Sequence, residues 1–415
     1  MINIILSRRG DAVNKNFHAL FFAKNLTYCT ILCRIEGGCV VKRPYLAVIL
    51  TAAVLLGGCR STQTPAPQAE DPPSATADEV RGVWVSYLDL DPLLAGVDPT
   101  EAAARLDTLL DTCKRYGMNT VFFHVRAYSD AYYASVVFPP AASAADLLAG
   151  GFDPLAHAVN AAHERGLAIH AWINPYRIGK EKTTAVLNSD TDTFQKDGVW
   201  YYNPASPDAR RAVLDGVREI LDRYAVDGIH FDDYFYPAGM TAQAEAFESV
   251  PDGIAVADWR RAQVDLLVSG VYGLTRESGR VFGVSPSALI RSNRDTAYAD
   301  VAVWMAGAGY IDYICPQIYF GFDNTAHPFP ETLAEWESLP RREGVALYIG
   351  LALYKAGTVD TYAGNGRTEW CEQDDIIARQ VAAVRESGGA DGFALFRYAH
   401  LTAAEQEMTN LLRIL

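Results

Sequence analysis

From residue 80 onward, short runs of β-branched and aromatic residues alternate with longer stretches in which apolar positions recur every three or four residues. The first pattern has the period of a strand, the second that of an amphipathic helix. Strands are predicted at 81–87, 119–126, 168–174, 228–232, 280–285, 311–319, 346–352 and 391–397. Helices are predicted at 100–116, 153–165, 207–224, 259–278 and 374–387, and Gly117, Gly166 and Gly279 are placed to cap their C-termini. Eight strand–helix units predict an α/β protein, a (β/α)8 TIM barrel that occupies 80–415 as one domain. A doubly wound open sheet would carry a glycine-rich phosphate turn after its first strand, and the sequence has none.

Within the strands, alternation assigns a direction to each side chain. Val121, Phe123 and Val125 oppose His124 and Arg126; Ile169, Ala171 and Ile173 oppose His170, Trp172 and Asn174. Ile229 and Phe231 oppose His230 and Asp232, while Ile314 and Ile318 oppose Cys315, Gln317 and Tyr319. The apolar sets suit the seam between strands and helices. The polar sets then point into the barrel, and those nearest the strand C-termini reach the mouth where barrel enzymes place their active sites. His170 and Cys315 lie deeper and fit a satisfied interior layer better than a site.

The run Asp227-Gly-Ile-His-Phe-Asp-Asp-Tyr-Phe-Tyr-Pro237 concentrates the chemistry. Glycoside hydrolysis needs two carboxyl groups at the scissile bond and aromatic faces for the sugar rings. Asp232 has the parity of the mouth and is the candidate nucleophile or base, with Asp233 beside it. The second acid is left open among Asp233, Asp130 after the second strand, Asp323 after the sixth, and Glu245 and Glu248 after the fourth. Trp172, Tyr176, Tyr234, Tyr236 and Tyr319, with His124, Arg126, Asn174, His230 and Gln317, form the candidate sugar-binding set. Two other readings are carried beside hydrolysis: a glycan-binding protein without catalysis, and metal-assisted deacetylation with Asp232, Asp233 and His230 as ligands. No HExxH or cysteine motif supports a metal, and no cofactor is expected.

Composition narrows the partners. A formal net charge of −14 over 415 residues argues against a nucleic-acid binder, which needs a basic face for phosphates. The N-terminal segment adds a location. Lys42 and Arg43 precede an apolar run at 45–56 that ends in Leu56-Gly57-Gly58-Cys59. This run is short of the about 20 residues that span a bilayer. The order resembles a bacterial lipoprotein signal over 40–58, with Cys59 lipidated and the mature protein tethered outside the cytoplasm. Residues 1–39 then read as a leader produced by a misplaced start, with Val40 or Val41 as initiator. The Pro-, Ala-, Thr- and Gln-rich segment 59–79 reads as a disordered tether. Cys113, Cys315 and Cys371 fit no metal spacing and no complete disulfide framework. A monomer is expected.

At these residues the chain resembles glycosyl-hydrolase-like family 10, formerly a domain of unknown function, of bacterial envelope lipoproteins. The resemblance is carried by RGVWVSYLDL (81–90), NTVFFHVRAYSDAYY (119–133), GFDPLAHAVNAAHERGLAIHAWINPYRI (151–178), DGIHFDDYFYP (227–237), FGVSPS (282–287), IDYICPQIYF (311–320) and YIGLALYK (348–355). It implies a TIM barrel that hydrolyses glycan strands, with peptidoglycan the leading substrate. It also implies Asp232 and Asp233 as the acidic centre, with Arg126, Asn174, Tyr176, Arg177, Gln317, Tyr319 and Lys355 lining the cleft. Ala127 stands where the family pattern has Pro.

Overall fold

Strand and helix alternate because each strand exposes two apolar faces that only a barrel interior and a helical layer can bury together. Eleven strands occur among the described residues: β1 (Val80–Val85), β2 (Thr120–Arg126), β3 (Ala168–Ile173), β4 (Arg177–Gly179), β5 (Thr193–Lys196), β6 (Val199–Tyr202), β7 (Gly228–Phe231), β8 (Val281–Val284), β9 (Tyr313–Ile314), β10 (Ala346–Leu351) and β11 (Gly392–Phe396). Eight of them, β1, β2, β3, β7, β8, β9, β10 and β11, close a parallel barrel in sequential order, and β11 pairs back onto β1. The structure is a computed structural model. It describes residues 79–415 apart from 182–185, 188, 190, 238 and 241. The leader, signal, Cys59 and most of the tether expected from the sequence lie outside the described residues.

Three helices begin by one device. Asp98, Asp153 and Ser206 each accept hydrogen bonds from the two or three residues ahead, and each is followed by Pro at the first helical position. The cap satisfies orphan N–H groups, while the Pro has no N–H to leave orphaned. These starts give helices Pro99–Arg115, Pro154–Glu164 and Pro207–Arg223, close to their expected bounds. Gly117, Gly166 and Gly279 follow helix ends with φ of 78°, 64° and 66°, the left-handed region that favours glycine.

Strand parity separates two buried regions. Val121, Phe123, Val125, Ile169, Ala171, Ile173, Ile229 and Phe231 belong to the large core between barrel and helices. Trp84, Phe122, Trp172, Tyr313, Cys315 and Ala394 form a smaller cluster of the opposite parity, the barrel filling. Gly283 makes room for that filling, since a Cβ there would meet the Tyr313 ring at 2.1 Å.

The structure departs from the sequence expectation in two places. The strand expected at 311–319 pairs regularly only at Tyr313–Ile314. Pro316 has no N–H for the ladder, and beyond it Gln317 makes only isolated bridges to Ser287 and Gly350. The stretch after β3, expected as a long loop, contains an antiparallel sheet in the order β4-β6-β5. Its strands have three or four residues, and runs such as TFQK and VWYY do not alternate apolar with polar positions.

Candidate functional site

The site is built on the floor of the mouth. Trp84 Nε1–H donates to His230 Nε2 at 3.0 Å, so His230 carries its proton on Nδ1, 2.9 Å from the Tyr313 hydroxyl. That hydroxyl then donates to His170 Nδ1 at 2.8 Å. Burial holds the His170 imidazole down at about 4 and the His230 imidazole well below its ordinary value, so both are neutral. With both ring nitrogens engaged, His230 is not available as a metal ligand. Nor does it line the cavity above: it is a support beneath it.

A second imidazole forms the wall. His124 stacks on Trp172 with ring centroids 3.7 Å apart and planes at 8°. Asn174 Nδ2 donates to the Ala127 carbonyl at 2.9 Å, which leaves Asn174 Oδ1 to accept from His124 Nε2 at 3.1 Å. His124 Nδ1 accepts the Tyr87 backbone N–H at 3.3 Å. Burial holds this imidazole at about 3, again neutral.

Above the floor lies a cavity of about 280 Å³ lined by Trp84, Ser86, Tyr87, Leu88, His124, Trp172, Asn174, Arg177, Asp232, Asp233, Tyr234, Gln317, Tyr319 and Phe396. Its two acids differ. Asp232 is 3% exposed and accepts the Tyr234 backbone N–H at 3.1 Å. Burial, then the neighbouring Asp233 charge, push its carboxyl well above the ordinary carboxylate range. Asp233 is half-buried; burial raises its carboxyl too, opposed by a hydrogen bond from Gln317 and the charge of Arg177. A carboxyl beside a like charge keeps its proton while its partner ionises. Asp232 is the more deeply buried of the two, which favours the protonated form of its carboxyl. Arg177 lies between the Tyr128 and Tyr234 rings, 4.7 and 4.8 Å from their centroids. The indole N–H of Trp172 and the Nε–H of Arg177 are buried without a hydrogen-bond partner of good geometry. Both flank the acids, and such donors are satisfied by a ligand or by water.

Other expected residues fall outside this cavity. Arg126 is 1% exposed under the loop after β3, where Nη2 donates to the Asn174 and Pro175 carbonyls at 2.8 and 2.9 Å. It shapes the strand end and does not reach the cleft. Tyr176 is fully buried, and Lys355 donates to the Tyr319 carbonyl and to Asp360 Oδ2, both at 2.6 Å, as a loop anchor. Tyr236 lines a neighbouring cavity. Among the proposed second acids, Asp130 is pushed up to about 6 by burial but lines neither cavity. Asp323 is exposed, and its backbone N–H is bound by Glu369. Glu245 and Glu248 are ion-paired to Arg260 at 2.9 and 2.8 Å. Each candidate other than Asp233 is thus committed elsewhere or remote.

Trp84, Ser86, Tyr87, Leu88 and Phe396 were not among the expected site residues. Trp84 could have been found from the sequence, because it alternates with Val83 and Val85 as His124 does with Phe123 and Val125. Phe396 takes its place only when β11 closes on β1.

The fold and the sequence now point the same way. The family described as Glycosyl hydrolase-like 10 matches residues 79–364. The chain belongs to the glycosyl hydrolase-like 10 family. Glycosyl hydrolase DigH of Escherichia coli (strain K12) is 31% identical over 386 aligned residues, covering 79% of this chain and 86% of that one. Glycosyl hydrolase YngK of Bacillus subtilis (strain 168) is 32% identical over 350, covering 74% and 66%. Among solved structures, the PgaB (BpsB) glycoside hydrolase domain from Bordetella bronchiseptica superposes with a TM-score of 0.54 at 16% identity, covering 80% of this chain and 98% of that one. The catalytic domain of a β-amylase from Paenibacillus polymyxa gives 0.51 at 12%, covering 82% and 98%. At such identities these two show the barrel alone. In this member of the glycosyl hydrolase-like 10 family, the acid pair sits at the C-terminal mouth, the end of the barrel where catalysis is placed.

Proposed function

We propose that this chain is a glycoside hydrolase that cleaves glycan strands of the cell envelope, peptidoglycan first among them, by carboxyl acid–base chemistry. The reading is carried by one observation: a carboxyl that is 3% exposed, next to one that is half-buried, in a cleft walled by Trp84, Trp172, Tyr234 and Tyr319. In the proposed reaction Asp232 gives its proton to the leaving glycosidic oxygen as the C1–O bond breaks. Asp233, ionised, faces the positive charge that develops at C1; water then bonds to C1 through its oxygen and gives its surplus proton to the carboxyl pair, which returns to its starting state. The charge of Arg177 favours the ionised form of both acids, and the Trp172 indole N–H faces Asp232. The envelope location rests on the basic pair, apolar run and Cys59 of the sequence, with the lipid on Cys59 as the proposed anchor.

The test is digestion of intact and peptide-stripped peptidoglycan by the purified protein, with Asp232→Asn alongside. New reducing ends that vanish in the variant are expected. Undiminished binding by both proteins with no release would replace the hydrolase with a glycan-binding protein.

A further inference from the structure

Asp233 and Tyr234 line two cavities, not one. Beyond them lies a second cavity of about 350 Å³, walled by Lys196 and Tyr201 of the inserted sheet, Tyr236, and Ser292 and Thr296 after β8. Small-ligand pockets run from about 300 to 1,000 Å³, so each cavity alone suits a short piece of a polymer. Two features of the second cavity match a sugar. Tyr201, Ser292 and Thr296 set an aromatic ring beside hydroxyl groups in its wall, and Lys196 is paired with Asp197 at 3.0 Å, which leaves Asp233, shared with the first cavity, as the charge of its lining. Tyr201 lies opposite Arg177 across β6 and β4, and cross-strand partners share a face. One face of the small sheet therefore serves both cavities, with Arg177 in the first and Tyr201 in the second.

We propose that the second cavity is a sugar-binding subsite on the far side of Asp233, so that a glycan strand lies across both cavities and its length governs productive binding. This rests on the glycoside hydrolase reading.

The test uses the full chain and peptide-stripped glycan strands fractionated by length, with kcat/KM measured on two-ring fragments and on long strands. Tyr201→Ala removes the ring, and Thr296→Trp fills the cavity from the opposite wall. Each is expected to lower kcat/KM on long strands about tenfold more than on two-ring fragments, the factor that corresponds to 1.4 kcal/mol. Tyr201→Phe, which retains the ring, is expected to keep the preference for long strands. Equal losses on short and long strands, or no loss in either variant, would overturn the subsite and leave the hydrolase standing. Failure of the unmodified protein to release reducing ends from any strand would remove both.

Discussion

Asp232 and Asp233 are chain neighbours with different surroundings, and the roles proposed for them rest on that difference. A general acid contributes about 10²–10⁴-fold, so Asp232→Asn should lower kcat by that much when reducing ends are counted. Because burial and the Asp233 charge raise the Asp232 carboxyl, it stays protonated beyond the ordinary carboxylate range. Activity should therefore fall as pH rises through that raised value. Asp233→Asn removes the like charge and should move the Asp232 titration to lower pH, as read by carbon-13 NMR of its carboxyl. An unmoved titration would separate the two groups. Burial holds the His170 imidazole at about 4, the His124 imidazole at about 3 and the His230 imidazole well below its ordinary value, so the activity profile above pH 4 reads the acids.

At the scale of elements, the mouth is held by contacts outside the cleft. Lys355, in the turn Leu353–Lys355 after β10, ties the Tyr319 carbonyl to Asp360, whose side chain is 4% exposed. Breaking a buried ion pair by removing one partner costs about 3 kcal/mol or more. Lys355→Met should lower the Tm and, by releasing Tyr319, raise KM. An unchanged Tm would mean the pair is neutral in balance. Glu407, on helix Glu405–Leu412, accepts the backbone N–H groups of Ile376 and Ile377 at the start of helix Ile376–Ser387. Burial pushes its carboxyl from 4.5 up to about 7. Its folded value lies above its unfolded one, so its favourable contribution is complete below pH 4.5 and is lost as pH rises to about 7. Tm against pH should show that decline, and Glu407→Gln should remove it. The barrel strands were legible because each is a β-branched or aromatic run set between helical stretches, even where regular pairing is as short as Tyr313–Ile314. The inserted sheet was not, because Thr193–Lys196 and Val199–Tyr202 do not alternate apolar with polar positions. The position of Asp232 at the mouth was legible through parity, whereas the role expected for it, nucleophile or base, gives way in the proposed reaction to that of acid because it is the more deeply buried carboxyl. Arg126 shares that parity yet is buried: the chain beyond β3 folds over it, and no local pattern encodes such a crossing.

For the whole molecule, barrel closure decides what belongs to the site. Trp84 and Phe396 meet because the last strand pairs with the first, with Trp84 opposite Phe396 in the register. The proton-ordered series Trp84, His230, Tyr313 and His170 crosses the barrel and ties β1, β3, β7 and β9 together. Tyr313→Phe would leave His230 Nδ1–H without an acceptor and His170 Nδ1 without a donor. An unsatisfied buried group costs about 1–3 kcal/mol, so the variant should unfold at clearly lower urea concentration. The inserted sheet has no place in this closure. Its ends are pinched together where the Tyr202 N–H meets the Tyr176 carbonyl at 2.8 Å, and its strands pair with each other rather than with the barrel. The stretch between supplies Arg177 to the cleft and packs Ile178 and Tyr202 into the core, so it belongs to the wall of the site and not to the barrel ladder. Exchanging it between relatives would change the wall beside the acids, Arg177 included, while the ladder that carries the acids keeps its register.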